Sequence, residues 1–140
     1  RDGSPFARKY FRVSDKRRKK ILNRVFSIST KRPTGIPEIH SYRLHGSTLE
    51  LRTKYIEGAH VSLDELSFEI LKKWKCEDFV HGDLSPSNIV HDGEDFWFID
   101  WLPDLESYQG TPHYASDEVF RGKHSSDSDE YALRKIIGEF

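Results

Sequence analysis

At 140 residues, with 36% hydrophobic and 32% charged side chains, the chain has the composition of one globular domain and not of a disordered or fibrous segment. Its apolar runs fall well short of the ~20 residues of a membrane-spanning helix, and a lone cysteine, Cys76, excludes an internal disulfide framework and points to a reducing, cytoplasmic setting. The formal net charge of −1 is unevenly spread, with twelve Lys/Arg against two Asp in residues 1–32 and ten against twenty-one acids beyond them.

A basic third of this kind can contact nucleic acid. Here, however, aromatic residues are not interleaved as stacking platforms would require, so a solvated basic helix face is the expected reading and nucleic acid is not an expected partner. The chain contains no methionine, which implies that residues precede Arg1.

Phe6 to Val13 alternates apolar and basic residues, the period of a half-buried strand. Ser14-Asp15 offers a cap for a helix reaching about Ser27, with Ile21, Leu22, Val25 and Phe26 as its apolar stripe. Five consecutive cations, Lys16 to Lys20, crowd its first turns, where the helix dipole disfavours them. Pro33 to Pro37 is a connector with turn chemistry. Strands are expected over Ile39 to Leu44 and Thr48 to Tyr55, joined across His45-Gly46-Ser47. Ser62-Leu63-Asp64-Glu65 is a capping box for a helix to about Lys75, whose Leu63, Leu66, Ile70, Leu71 and Trp74 share one face.

The chemistry concentrates between Val80 and Trp101. Asp83 and Asn88 stand five residues apart on a polar loop between apolar runs. A strand at Ile89 to His91, a turn at Asp92-Gly93 and a strand at Asp95 to Ile99 form a hairpin that returns Asp100 beside Asn88. One carboxylate is then free to orient a hydroxyl, while an Asn/Asp pair supplies the hard oxygen ligands that Mg²⁺ on a nucleotide's phosphates takes.

This stretch resembles the catalytic core of the protein-kinase superfamily. H-x-D-L-x-x-x-N stands as His81-Gly82-Asp83-Leu84-Ser85-Pro86-Ser87-Asn88, and the D-F-G position as Asp100-Trp101-Leu102. Gly82 replaces the usual Arg, as in small-molecule and compact atypical kinases. Trp101-Leu102 replaces Phe-Gly, as in Rio-type and aminoglycoside-type kinases. Gly110-Thr111-Pro112-His113-Tyr114-Ala115-Ser116-Asp117-Glu118 resembles the G-T-x-x-Y and A-P-E elements of protein kinases, which small-molecule kinases lack. Asp129-Glu130-Tyr131-Ala132-Leu133 resembles the start of the central helix of the C-lobe.

The resemblance implies an α+β, two-lobed kinase-like fold forming a single domain over 1–140: a partial, β-rich N-lobe over 1–57 and a reduced, truncated helical C-lobe over 58–140. It implies ATP and Mg²⁺ as cofactors, Asp83 as catalytic base, and Asn88 and Asp100 as metal ligands. Lys9 falls to the α- and β-phosphates, Glu57 to the adenine-binding hinge Tyr55 to Gly58, and Ser85 to the γ-phosphate. His81 is expected to be a buried structural imidazole, Asp129 to tie down the catalytic loop, and Glu118 to make a buried pair whose usual Arg partner belongs to a later helix, outside the 140 residues. Two departures stand out: the helix after the first strand lacks the Glu that pairs with the strand lysine, and too few residues precede Phe6 for a Gly-rich loop. A minimal protein Ser/Thr kinase is the leading expectation, with a pseudokinase scaffold and a small-molecule kinase as alternatives. A protein substrate or partner is implied, and a partner or second copy could complete the reduced lobes.

Overall fold

The computed structural model describes residues 6–60, 79–105, 114–121 and 123–138. The first strand, β1 (Phe6–Arg12), leads through a turn into α1 (Arg18–Lys31); β2 (Ile39–His45) and β3 (Thr48–Lys54) follow as a hairpin. β1 and β2 both pair antiparallel with β3, giving the order β1-β3-β2. A second small sheet joins β4 (Ala59–His60), β5 (Ile89–His91) and β6 (Phe96–Phe98), in that order and antiparallel throughout. A 3-10 turn at Pro86–Asn88 leads into β5, and two helices, α2 (Asp117–Phe120) and α3 (Ser126–Ile136), follow. The fold is α+β, with two small sheets and few helices among the described residues. None of those helices is long and apolar enough to cross a membrane. The capping-box helix, Cys76 and the Gly110-Thr111 element lie outside the described residues.

Helix α1 departs from expectation at both ends. Ser14 and Asp15 do not cap it: the Ser14 carbonyl instead accepts from Arg17 N–H, closing a turn, and the helix starts after Arg17 with no side-chain cap. Five consecutive cations before Ile21 leave no acid in the first turn. At the other end the helix continues beyond Ser27 to Lys31, because Ile28 is buried and rewards another turn. Thr30 Oγ1 is satisfied on the Phe26 carbonyl, and Arg32, in the left-handed region at φ 49°, donates to the Ile28 carbonyl before Pro33 stops the chain. The buried stripe is therefore Ile21, Val25 and Ile28, while Phe26, expected in the core, is 61% exposed.

One contiguous core runs from the inner face of the first sheet (Leu49, Leu51) through α1 to Leu84, Ile89, Phe98, Trp101 and Leu133. The connector before β2 is pinned to it, since Phe98 N–H donates to the Gly35 carbonyl at 2.8 Å. Gly58 permits a close backbone approach: a Cβ there would sit 2.3 Å from the His91 carbonyl oxygen, across the β4–β5 pair.

Candidate active site

The two-residue period of β1 puts Ala7, Lys9 and Phe11 on one face, and the register sets Lys9 opposite Leu51 and Ala7 opposite Thr53. These side chains form one wall of an open cleft; Tyr55 and Ile56 continue it, and Ile99, Asp100 and Trp101 lie across from them. Lys9 Nζ spans the cleft to Asp100 Oδ1 at 2.8 Å. The expected hinge segment thus borders the cleft through Tyr55 and Ile56, whereas Glu57 is exposed and not among the residues lining it.

Asp100 is a non-glycine residue with a left-handed backbone, φ 56°. Its neighbours explain how that conformation is held: Ile99 N–H donates to the Asn88 carbonyl at 2.9 Å, and Leu102 N–H donates to the His81 carbonyl at 2.8 Å. Both bonds join the chain around Asp100 to the loop bearing Asp83 and Asn88, and between them the backbone must turn sharply. Such strain is kept where surrounding contacts over-determine it, commonly at functional positions. The expected strand over 95–99 is only Phe96–Phe98 because the chain leaves the ladder early to make this turn.

The loop is built from inside outward. His81 is fully buried; its Nε2 lies 2.6 Å from the Ile99 carbonyl, and Asp83 N–H donates to its Nδ1 at 3.1 Å. Nε2 therefore carries the proton and Nδ1 accepts. Burial pushes this imidazole down to about 4, against the Ile99 carbonyl, which favours the charged form. His81 is neutral near pH 7 and structural, as expected. The other side of Asp83 is held by Asn88, whose Nδ2 donates to the Asp83 carbonyl at 2.7 Å. Asn88 itself is placed by the 3-10 turn, its N–H donating to the Ser85 carbonyl.

Beneath the loop, Asp129 of α3 accepts from His81 N–H at 2.7 Å and from Gly82 N–H at 3.0 Å, one bond to each carboxylate oxygen. This is the anchoring role the sequence suggested. Burial pushes the Asp129 carboxyl up to about 7, against the two N–H donors and Arg24, which pull it down. Ser125 Oγ accepts from Ser128 N–H and Ser125 N–H donates back to Ser128 Oγ, so a capping box fixes where α3 begins. Gly82 has φ +98°, and a Cβ on it would stand 2.9 Å from Leu102 Cδ1. Glycine here, in place of the usual Arg, is thus a packing requirement.

The remaining expectations divide. Ser85 is buried with its hydroxyl 2.9 Å from that of Ser87, and like Asp83 and Asn88 it is not among the residues lining the cleft; of the expected site residues, Lys9 and Asp100 line it. Glu118 is exposed, and its carbonyl accepts from the N–H groups of Arg121 and Lys123 at the end of the short α2. Sequence reasoning also missed Arg24. It donates from Nε to the Leu102 carbonyl at 2.8 Å and from Nη2 to the Val80 carbonyl at 2.6 Å. The signal was present: Arg24 interrupts the i, i+4, i+7 stripe of Ile21, Val25 and Ile28, where a cation must find partners.

Among the described residues no group of three or more His, Cys, Asp or Glu could hold a metal. The Asn88 and Asp100 pair nevertheless suits Mg²⁺, which takes one or two hard protein oxygens and draws the rest from water and phosphate. The hydrogen bond from Ile99 N–H to the Asn88 carbonyl ties the residue before Asp100 to Asn88.

The family model described as the RIO domain matches residues 42–111, half of the chain. The match begins within β2 and covers β3, the loop with Asp83 and Asn88, and Asp100. No curated protein matches the chain.

Proposed function

The chain belongs to the RIO domain family, within the atypical protein kinases and their ATP-binding phosphotransferases, and from that premise we propose that it transfers the γ-phosphoryl group of Mg²⁺·ATP to a Ser or Thr hydroxyl of a protein. The observation that carries this reading is the Lys9–Asp100 contact across the cleft, with Asp100 held left-handed beside Asn88. In this reading the first sheet with α1 is the N-lobe side and the second sheet with α3 the C-lobe side, the nucleotide lying between them.

Adenine would rest on the apolar wall at Leu51 and Ile56 and hydrogen-bond the backbone of 55–58, while Lys9 would neutralise phosphate oxygens. Asn88 and Asp100 would hold Mg²⁺, which when bound supplies charge neutralisation on the phosphates. Asp83, fixed at its N–H by His81 and at its carbonyl by Asn88, would orient the acceptor hydroxyl and take its proton as the new P–O bond forms and the bond to the ADP oxygen breaks. Positioning and charge then account for nearly all of the rate. A protein acceptor is preferred over a small molecule on the strength of the 110–118 pattern, of which Tyr114 to Glu118 lie in the described region.

A pseudokinase scaffold is the second reading. It is favoured by the buried Ser85 and by an α1 that carries Arg24 inward and no Glu. Thermal unfolding with ATP, with and without Mg²⁺, separates the two. A transferase shows a Mg²⁺-dependent rise in midpoint that Asp100→Ala abolishes, together with radiolabel transfer that Asp83→Asn lowers by about a hundredfold or more. Stabilisation absent from both proteins overturns the transferase reading.

A further inference from the structure

Arg24 occupies the centre of α1 and does not itself line the cleft; its guanidinium lies against two rings, 5.4 Å from the centroid of Phe79 and 5.4 Å from that of the cleft-lining Trp101. Those rings meet edge to face at 6.4 Å. Its two hydrogen bonds diverge. One goes to the Val80 carbonyl, directly ahead of His81, and the other to the Leu102 carbonyl, two residues past Asp100. Leu102 N–H in turn donates to the His81 carbonyl, closing a ring of contacts around the segments that carry Asp83 and Asp100. A planar guanidinium can make two such bonds while stacking on aromatic faces; an ammonium offers a point charge without the fork.

We propose that Arg24 is a positioning residue of this site, a clamp that sets the segment bearing Asp83 against the segment bearing Asp100 and so couples the placement of α1 to the metal–phosphate geometry. Its consequence for nucleotide binding rests on the phosphotransferase reading; the clamp itself does not. The bonds it makes are to backbone carbonyls, so the coupling acts through main-chain position. Burial draws the Arg24 pKa down to about 10, with Asp129 pulling it up, so the side chain remains a cation at neutral pH.

The test compares the full chain with Arg24→Lys and Arg24→Gln. Far-UV circular dichroism establishes folding, ¹H–¹⁵N spectra follow the amides of Asp83, Asn88 and Asp100, and titrations give ADP affinity with and without Mg²⁺. In both folded variants the Asp83 and Asp100 amides are expected to shift. Metal-free ADP affinity should stay within about twofold, while the tightening that Mg²⁺ confers should fall by about tenfold in Arg24→Gln, the usual scale for losing a residue that orients a ligand. Arg24→Lys should recover only part of it. The proposal is overturned if the amides do not move, if they move but the Mg²⁺ effect is unchanged, or if both variants unfold where the parent is folded, since Arg24 then serves only the core. Should the parent itself not bind Mg²⁺·ADP, the phosphotransferase reading fails, and the amide shifts alone decide the clamp.

Discussion

Asp100 and Gly82 both sit at backbone angles that most L-residues resist, and for opposite reasons. Asp100 tolerates the left-handed region because a short polar side chain does so at less cost than others, and the hydrogen bonds flanking it hold the turn. Asp100→Asn should accordingly leave the unfolding free energy within ~0.5 kcal/mol of the parent, while removing the Mg²⁺-dependent stabilisation by nucleotide; urea unfolding with and without Mg²⁺·ATP reads both. Gly82 has no such latitude. Its φ of +98° and the 2.9 Å approach to Leu102 predict that Gly82→Ala costs roughly 2–4 kcal/mol, combining backbone strain with overpacking. Fixed offsets made Asp83, Asn88 and Asp100 legible in the sequence, since loop and hairpin chemistry is local. Arg24 was illegible as a site residue because its partners are backbone carbonyls, which carry no side-chain signature, at chain separations of 56 and 78 residues.

Among the elements, the β5–β6 hairpin was read correctly because its turn is self-contained. The Asp92 carboxylate accepts from the N–H groups of Asp95 and Glu94 and from Trp97 Nε1, and these bonds hold it down to about 2. A depressed carboxyl contributes stability that is present above its ordinary pKa and lost as pH falls through the lowered one. The Trp97 indole N–H signal should thus keep its hydrogen-bonded position to about pH 3 and move only as pH approaches about 2; Asp92→Ala should shift it at every pH. The α1 helix was read less well. Ser14-Asp15 has the composition of a cap, but the turn closed by Arg17 N–H consumes that stretch, and tertiary burial of Ile28 overrides the poor propensity of Ser27, Ser29 and Thr30. Glu118 was placed by resemblance alone, and nothing local in the sequence fixed its environment.

Across the whole molecule, two buried groups under the catalytic loop titrate in opposite senses. His81 is held neutral down to about 4, and Asp129 is pushed up to about 7. Between about pH 4.5 and 6 the unfolded chain carries an imidazolium and a carboxylate, whereas the fold favours an imidazole and a carboxyl. The depressed His81 makes stability rise with pH in this window, by up to about 1.4 kcal/mol per unit, and the raised Asp129 makes it fall by as much. Proton counts match, so these contributions cancel. Each single variant should expose the other group: after His81→Asn stability falls with rising pH across the window, and after Asp129→Asn it rises, whatever the overall loss. Chemical unfolding at half-unit pH steps measures both slopes. Two parallel slopes of the same sign would overturn the compensation.

The bonds from Asp129 to the His81 and Gly82 amides close a stretch of nearly fifty residues, with separations of 48 and 47 in sequence. Contacts that distant carry a loop-closure entropy, and they form only once most of the chain is ordered. The loop holding Asp83 has local bonds from Asp83 N–H to His81 and from Asn88 to the Asp83 carbonyl, but its anchorage to α3 depends on these distant contacts. In deuterated solvent the His81 and Gly82 amides should be among the slowest to exchange, at the rate set by opening of the entire core, while those of Gly93 and Glu94 at the hairpin tip exchange early. A molecule that has lost α3, even briefly, has lost the anchor of the Asp83 loop too: the fold and the placement of that loop are one cooperative unit.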